Sequence, residues 1–117
     1  MASELAQQAL SAHNAEETCA LAIDRHPKVK RWVRNLERST PAFWLQTSSD
    51  KFYPDFVAEL IDGRSLAVEY KGGHLASGDD TEGKEWVGRK WAEASEGRCL
   101  FLMMKDKDFG ALDRVLA

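Results

Sequence analysis

The sequence predicts an α+β fold, a central mixed sheet with helices packed against it. Three observations carry this. "FVAELI" and "SLAVEY" are strand-like runs on either side of Asp62-Gly63, a strong hairpin signal. "RCLFLMM" (98–104) is an apolar run bounded by Gly97 and a charged stretch, short enough for a buried strand. Helix-periodic segments lie before the hairpin and between it and that run, which suits helices laid against a sheet.

The predicted order is α-α-β-β-β-α-β-α. Residues 3–24 read as a helix, with Leu5, Ala9, Ala12, Ala20, Leu21 and Ile23 at a partial 3.6-residue period and "HNAEET" as an interruption. Pro27 suits the first turn of a second helix over 27–38, with Val29, Trp32, Val33 and Leu36 on one face. "STP" at 39–41 ends it. "AFWLQT" then reads as a short strand, "SSDK" as a turn, and the hairpin follows. "GGHLASGDDTEG" is a loop, in which Asp79, Asp80 or Thr81 can cap the next helix and Glu82 suits its dipole. That helix spans 82–95, with Trp86, Val87, Lys90, Trp91 and Ala94 at helical spacing. "DFGALDRVL" closes the chain as a short helix. The expected organisation is a helical segment over 1–26 and the sheet-bearing unit over 27–117, compact together.

At 117 residues the chain is long enough for one real core. Its 44% hydrophobic and 30% charged residues are ordinary for a soluble domain. No apolar run is long enough to span a membrane, and the N-terminus carries no secretory pattern. Cys19 and Cys99 are far apart and outside any C-x-x-C, which argues against zinc and for a reducing compartment. A cytoplasmic protein is expected. The net charge of −3 weighs against a free-standing nucleic-acid binder. The basic residues cluster, however: Lys28, Lys30, Arg31, Arg34 and Arg38 face one acid, Glu37, in "HPKVKRWVRNLER". They are candidate phosphate contacts on the second helix, or simply its solvated face.

The hairpin poses the chemical question. Glu69 and Lys71 lie two apart on one strand and share a face, while Tyr70 points the other way. A two-residue Asp62-Gly63 turn would set Asp55 across from Tyr70, on the wrong face. A three-residue loop with Gly63 in the left-handed conformation, or one bulge, shifts the register and brings Asp55 opposite Glu69 or Lys71. An odd loop or a bulge is therefore expected. Two carboxylates at cross-strand distance repel unless a cation shares them. A hard divalent ion, Mg²⁺ where phosphate is the substrate with Mn²⁺ as substitute, resolves that conflict, and the Tyr70 carbonyl would be a third oxygen. Lys71 would then orient the attacking water or stabilise charge on phosphorus.

Pro54-Asp55 followed by Glu69-x-Lys71 on the next strand resembles the PD-(D/E)XK nuclease superfamily. Its restriction-endonuclease-like αβββαβ core matches the predicted order from the second helix onward. More narrowly, "VKRWVRNLER", "FWLQTSSDKFYPDFVAELIDGRSLAVEYKG" and "RCLFLMM", spanning roughly 29–104, look like the C-terminal endonuclease region of the Res subunit of type III restriction–modification enzymes. That resemblance implies Mg-dependent cleavage of double-stranded DNA with 5′-phosphate and 3′-hydroxyl products. It implies a helicase-like motor domain in the same parent polypeptide and a methyltransferase/specificity subunit as partners. The chain has no G-x-x-x-x-G-K-[ST] loop, so ATP would act only through that motor. The superfamily also implies an acid on the first core helix at the metal site, for which Glu17 is the candidate and Glu16 its rival. A downstream lysine, Lys84 or Lys90, sometimes assists.

Two plainer readings stand beside this. Asp55, Glu69 and Lys71 could form a surface ion-pair cluster, or the chain could be a non-catalytic DNA-binding or protein-docking module on a nuclease-like fold. His74, just beyond Lys71, is either an exposed loop histidine or a phosphate contact. Nothing singles out His13 or His26. Trp32, Trp44, Trp86 and Trp91, with Phe52 and Phe56, are read as core rather than base-stacking surfaces.

Overall fold

The computed structural model describes residues 16–35, 42–48, 51–72, 79–105, 108 and 110–117. Residues 3–15 of the helix predicted over 3–24, His13 among them, and Glu37, Arg38 and His74 lie outside them. Helix α1 covers 16–25. The strands β1 (Val29–Arg34), β2 (Leu45–Gln46), β3 (Lys51–Phe52), β4 (Phe56–Leu60) and β5 (Ser65–Lys71) follow. Helix α2 (Asp79–Ala94), strand β6 (Cys99–Lys105) and helix α3 (Gly110–Leu116) complete the order. The fold is α+β, with a mixed sheet ordered β1-β4-β5-β6 and helices on both faces. Strands β1, β4 and β5 pair antiparallel and β5 with β6 parallel, α2 forming the crossover. No helix among the described residues is long and apolar enough to cross a membrane.

Period-2 alternation sorts the hairpin's side chains between the two faces. Phe56, Ala58 and Leu60 of β4, Leu66 and Val68 of β5, and Leu102 and Met104 of β6 form the main core. Cys19, Ala20 and Ile23 of α1 close it, with Ala111, Leu112 and Leu116 of α3. On the other face α2 lies so near β6 that a Cβ at Gly88 would stand 2.5 Å from the Phe101 ring. Phe52 meets Phe101 edge-on there, with ring centroids 6.0 Å apart.

Residues 29–34 are a strand, where the periodicity predicted a helix over 27–38. Val29, Trp32 and Val33 satisfy helical spacing, but a helix of that length is marginal alone, and β-branched and aromatic residues suit a strand as well. Pairing with β4 decides the matter. A bulge between Val29 and Arg31 turns Trp32 onto the core, where its indole meets Phe56 at 5.8 Å and donates to Asp24 Oδ1 at 2.9 Å. "AFWLQT" also contributes less than predicted: among the described residues β2 pairs with β3 alone, in a separate two-stranded ribbon.

Candidate active site

The β4–β5 hairpin closes through three residues, Ile61-Asp62-Gly63. Leu60 N donates to Arg64 O at 2.8 Å, Gly63 N to Leu60 O at 3.0 Å, and Gly63 has φ +91°. The odd loop is thus present, with glycine where a left-handed residue is required. Asp62 braces it by accepting from Arg64 N at 3.0 Å and Arg64 Nε at 2.7 Å, which lowers its carboxyl pKa. Phe56 pairs with Val68, so one step further along the register Asp55 stands opposite Glu69.

Reciprocal hydrogen bonds lock the two acids. Asp55 N donates to Glu69 Oε1 at 3.1 Å, and Tyr70 N donates to Asp55 Oδ2 at 2.8 Å. Lys71 Nζ lies 3.3 Å from Glu69 Oε2. Glu69 is only 5% exposed. Burial first, and then the neighbouring Asp55 carboxylate, push its pKa up to about 8, against the pull of Lys71. The three residues singled out from spacing therefore converge. Among the described residues no group of three or more His, Cys, Asp or Glu side chains forms a metal cluster. The candidate oxygen donors are two carboxylates and the backbone beside them. No family model, curated protein or solved structure matches this chain.

The remaining candidates separate into near and far. Glu16 Oε1 and Glu17 Oε1 lie 3.4 and 3.3 Å from Arg34 Nη2, and the Arg34 guanidinium sits 5.3 Å over the Phe56 ring. Glu16 shares a helix face with Cys19, three residues on. The Cys19 thiol, raised to about 12 chiefly by burial, is pushed up further by Asp55 and by Glu16. Glu16 is the more buried of the two acids, and both are engaged by Arg34. Lys84 Nζ lies 5.5 Å over the Phe52 ring. Lys90 is on the outer face of α2, paired with Glu93 at 3.3 Å.

The basic residues form no helix face, because β1 distributes them. Lys28 Nζ donates to Leu116 O. Lys30 and Arg31 lie 4.0 and 3.0 Å from Glu59 Oε2, and Arg34 is held by α1. His26 joins α1 to α3, with Nε2 3.0 Å from Asp113 Oδ1 and Nδ1 accepting from Lys28 N at 3.2 Å. Trp44 and Trp86 are 42% and 62% exposed, against the expectation of core packing. Trp86 points off the outer face of α2, and Trp44 off the ribbon beneath Lys51.

Sequence reasoning missed Asn35. Its Nδ2 donates to Phe43 O at 2.7 Å and Pro54 O at 2.9 Å, while its Oδ1 accepts from Phe43 N at 2.9 Å. Only the strand assignment of 29–34 brings it beside Asp55; on a helix it would point elsewhere.

Proposed function

We propose that this chain is a divalent-metal-dependent endonuclease domain that hydrolyses DNA phosphodiester bonds. The carrying observation is the convergence of Asp55, Glu69 and Lys71, produced by the three-residue loop. The donor set fits Mg²⁺ or Mn²⁺: hard oxygens, crowded acids, and one carboxyl whose raised pKa marks the cost first of burying it and then of setting it beside a second acid without a cation. Asp55 and Glu69 would hold the ion, with the Tyr70 carbonyl and Glu16 or Glu17 as further donors. Such an ion supplies a polarised phosphate and an acidified water. Lys71, held by Glu69, would orient that water and offset charge growing on the phosphate oxygens.

The PD-(D/E)XK resemblance supports this reading, and the α1-β1-β4-β5-α2-β6 order agrees with the αβββαβ core that it implies. The narrower resemblance to type III Res subunits assigns double-stranded DNA as substrate. It also assigns a helicase-like motor and a methyltransferase/specificity subunit as partners, in the cytoplasm. DNA contact from Lys30 and Arg31 would compete with their pairing to Glu59. The docking-module reading draws on one observation, that Lys71 already neutralises Glu69 at 3.3 Å.

A structure with excess Mn²⁺ tests the proposal. The expected result is an ion roughly 2.0–2.3 Å from oxygens of both Asp55 and Glu69, lost in Asp55→Ala. Carboxylates unchanged and no ion at high Mn²⁺ would move the assignment to the docking module.

A further inference from the structure

We infer that Asn35 is a positioning residue that sets where the Asp55 carboxylate stands; its significance for metal binding rests on the nuclease reading. The peptide group joining Pro54 to Asp55 is gripped on both sides. Its carbonyl accepts from Asn35 Nδ2 at 2.9 Å, and its N–H donates to Glu69 Oε1 at 3.1 Å. The next carbonyl, that of Asp55 itself, accepts from Asn35 N at 2.8 Å. Of the three backbone polar atoms flanking the Asp55 side chain, Asn35 holds two and Glu69 the third. The carboxylate is in turn anchored by Tyr70 N at 2.8 Å.

Asn35 also fastens Phe43 through both halves of its amide. The chain entering the β2–β3 ribbon at Phe43 and leaving it at Pro54 is thereby tied to the end of β1. Only an amide does this. The side chain must donate to two carbonyls on different segments and accept from one N–H. An aspartate would turn oxygen toward both carbonyls, and an alanine would leave Phe43 N, Phe43 O and Pro54 O without this partner. Groups that orient a metal ligand typically matter 10- to 100-fold in metal affinity, which is the scale expected here.

The test compares Asn35→Ala and Asn35→Asp with the parent and with Asn35→Gln, using hydrogen exchange of the Tyr70 amide and Mn²⁺ affinity by electron paramagnetic resonance. The expected result is selective loss of Tyr70 amide protection, with Ala58 and Val68 in the same hairpin still protected. Mn²⁺ affinity is expected to fall at least tenfold in Ala and Asp, with partial recovery in Gln. A Tyr70 amide as protected as in the parent would overturn the inference. So would protection lost uniformly with global stability, which is what a purely structural role predicts. If the parent itself binds no Mn²⁺ at Asp55 and Glu69, the nuclease reading fails, and the Tyr70 amide still decides the role of Asn35.

Discussion

Two acid–base clusters sit on the same face of the same hairpin and have opposite physics. Glu59 meets Arg31 and Lys30 near the loop end of β4, its side chain 41% exposed and its partners on the surface. Glu69 meets Lys71 and a second carboxylate at the other end, buried, with its pKa near 8. The first is an ion pair between a half-exposed carboxylate and two exposed cations, screened by water on their side although Glu59 Oε2 is itself covered, and it costs little to form or lose. The second sets two carboxyl groups side by side out of water, so that without metal Glu69 keeps a proton to about pH 8 and its ionisation above that destabilises the fold. The difference separates a candidate active site from surface charge, although both would be described as salt-bridged strand residues.

The largest expected effect is on cleavage. Asp55→Ala and Lys71→Ala should each lower the rate of DNA nicking in Mn²⁺ by about 10²–10³-fold or more, the scale of removing one transition-state electrostatic contact. Circular dichroism should show the fold retained. Glu59→Ala, tested in parallel, should nick like the parent. A cut in activity at Glu59 equal to that at Asp55 would erase the distinction between the clusters.

Next comes the pH dependence of stability without metal. Because the folded-state pKa of Glu69 is raised above its ordinary 4.5, the folded protein holds a proton that the unfolded chain releases between about pH 4.5 and 8. Stability from this group is full below that window and falls as pH rises through it. In EDTA the parent should lose stability relative to Glu69→Gln from pH 5 to 8, by on the order of a few kcal/mol. Urea melts at several pH values measure this. Parallel curves for the two proteins would mean that Glu69 is not strained.

Two glycines probe the scaffold rather than the charges. Gly88→Ala drives a Cβ into Phe101 and should cost about 1–3 kcal/mol through overpacking. Gly63→Ala has open space around it but a φ of +91°, and should cost about 1–2 kcal/mol. Gly63 also sets the register, so its variant should weaken the Asp55–Tyr70 hydrogen bond more than Gly88→Ala does. Amide exchange at Tyr70 compares them directly.

The hairpin was legible because its signals were local. Asp62-Gly63 marked the turn, period-2 alternation marked the faces, and the charge of Asp55, Glu69 and Lys71 demanded the odd loop that is present. The strand at 29–34 was not legible, since "VKRWVR" fits helical spacing and only its pairing with β4 across some 25 residues of sequence decides otherwise. Asn35 was hidden for the same reason. Its partners, Phe43 and Pro54, are 8 and 19 residues away, and an asparagine inside a supposed helix carries no local signal for them. Trp86 misled in the opposite direction: its spacing suited a core stripe, but the close approach of Gly88 to Phe101 rotates that part of α2 outward.

The smallest expected effect completes the comparison at Glu59. Glu59→Gln removes the charge facing Arg31 and Lys30 while keeping the shape of the side chain. The loss should be below about 1 kcal/mol in low salt and vanish near 1 M salt, where screening acts within a few ångströms. The same substitution at Glu69 should stabilise the metal-free protein at pH 8, because it removes a buried charge and its repulsion from Asp55. Opposite signs for one chemical change, about 13 Å of strand apart by the usual rise per residue, would establish that burial and the second carboxylate, not charge pairing as such, distinguish the two ends of the hairpin. Equal small losses at both would leave the Asp55 end as ordinary surface charge.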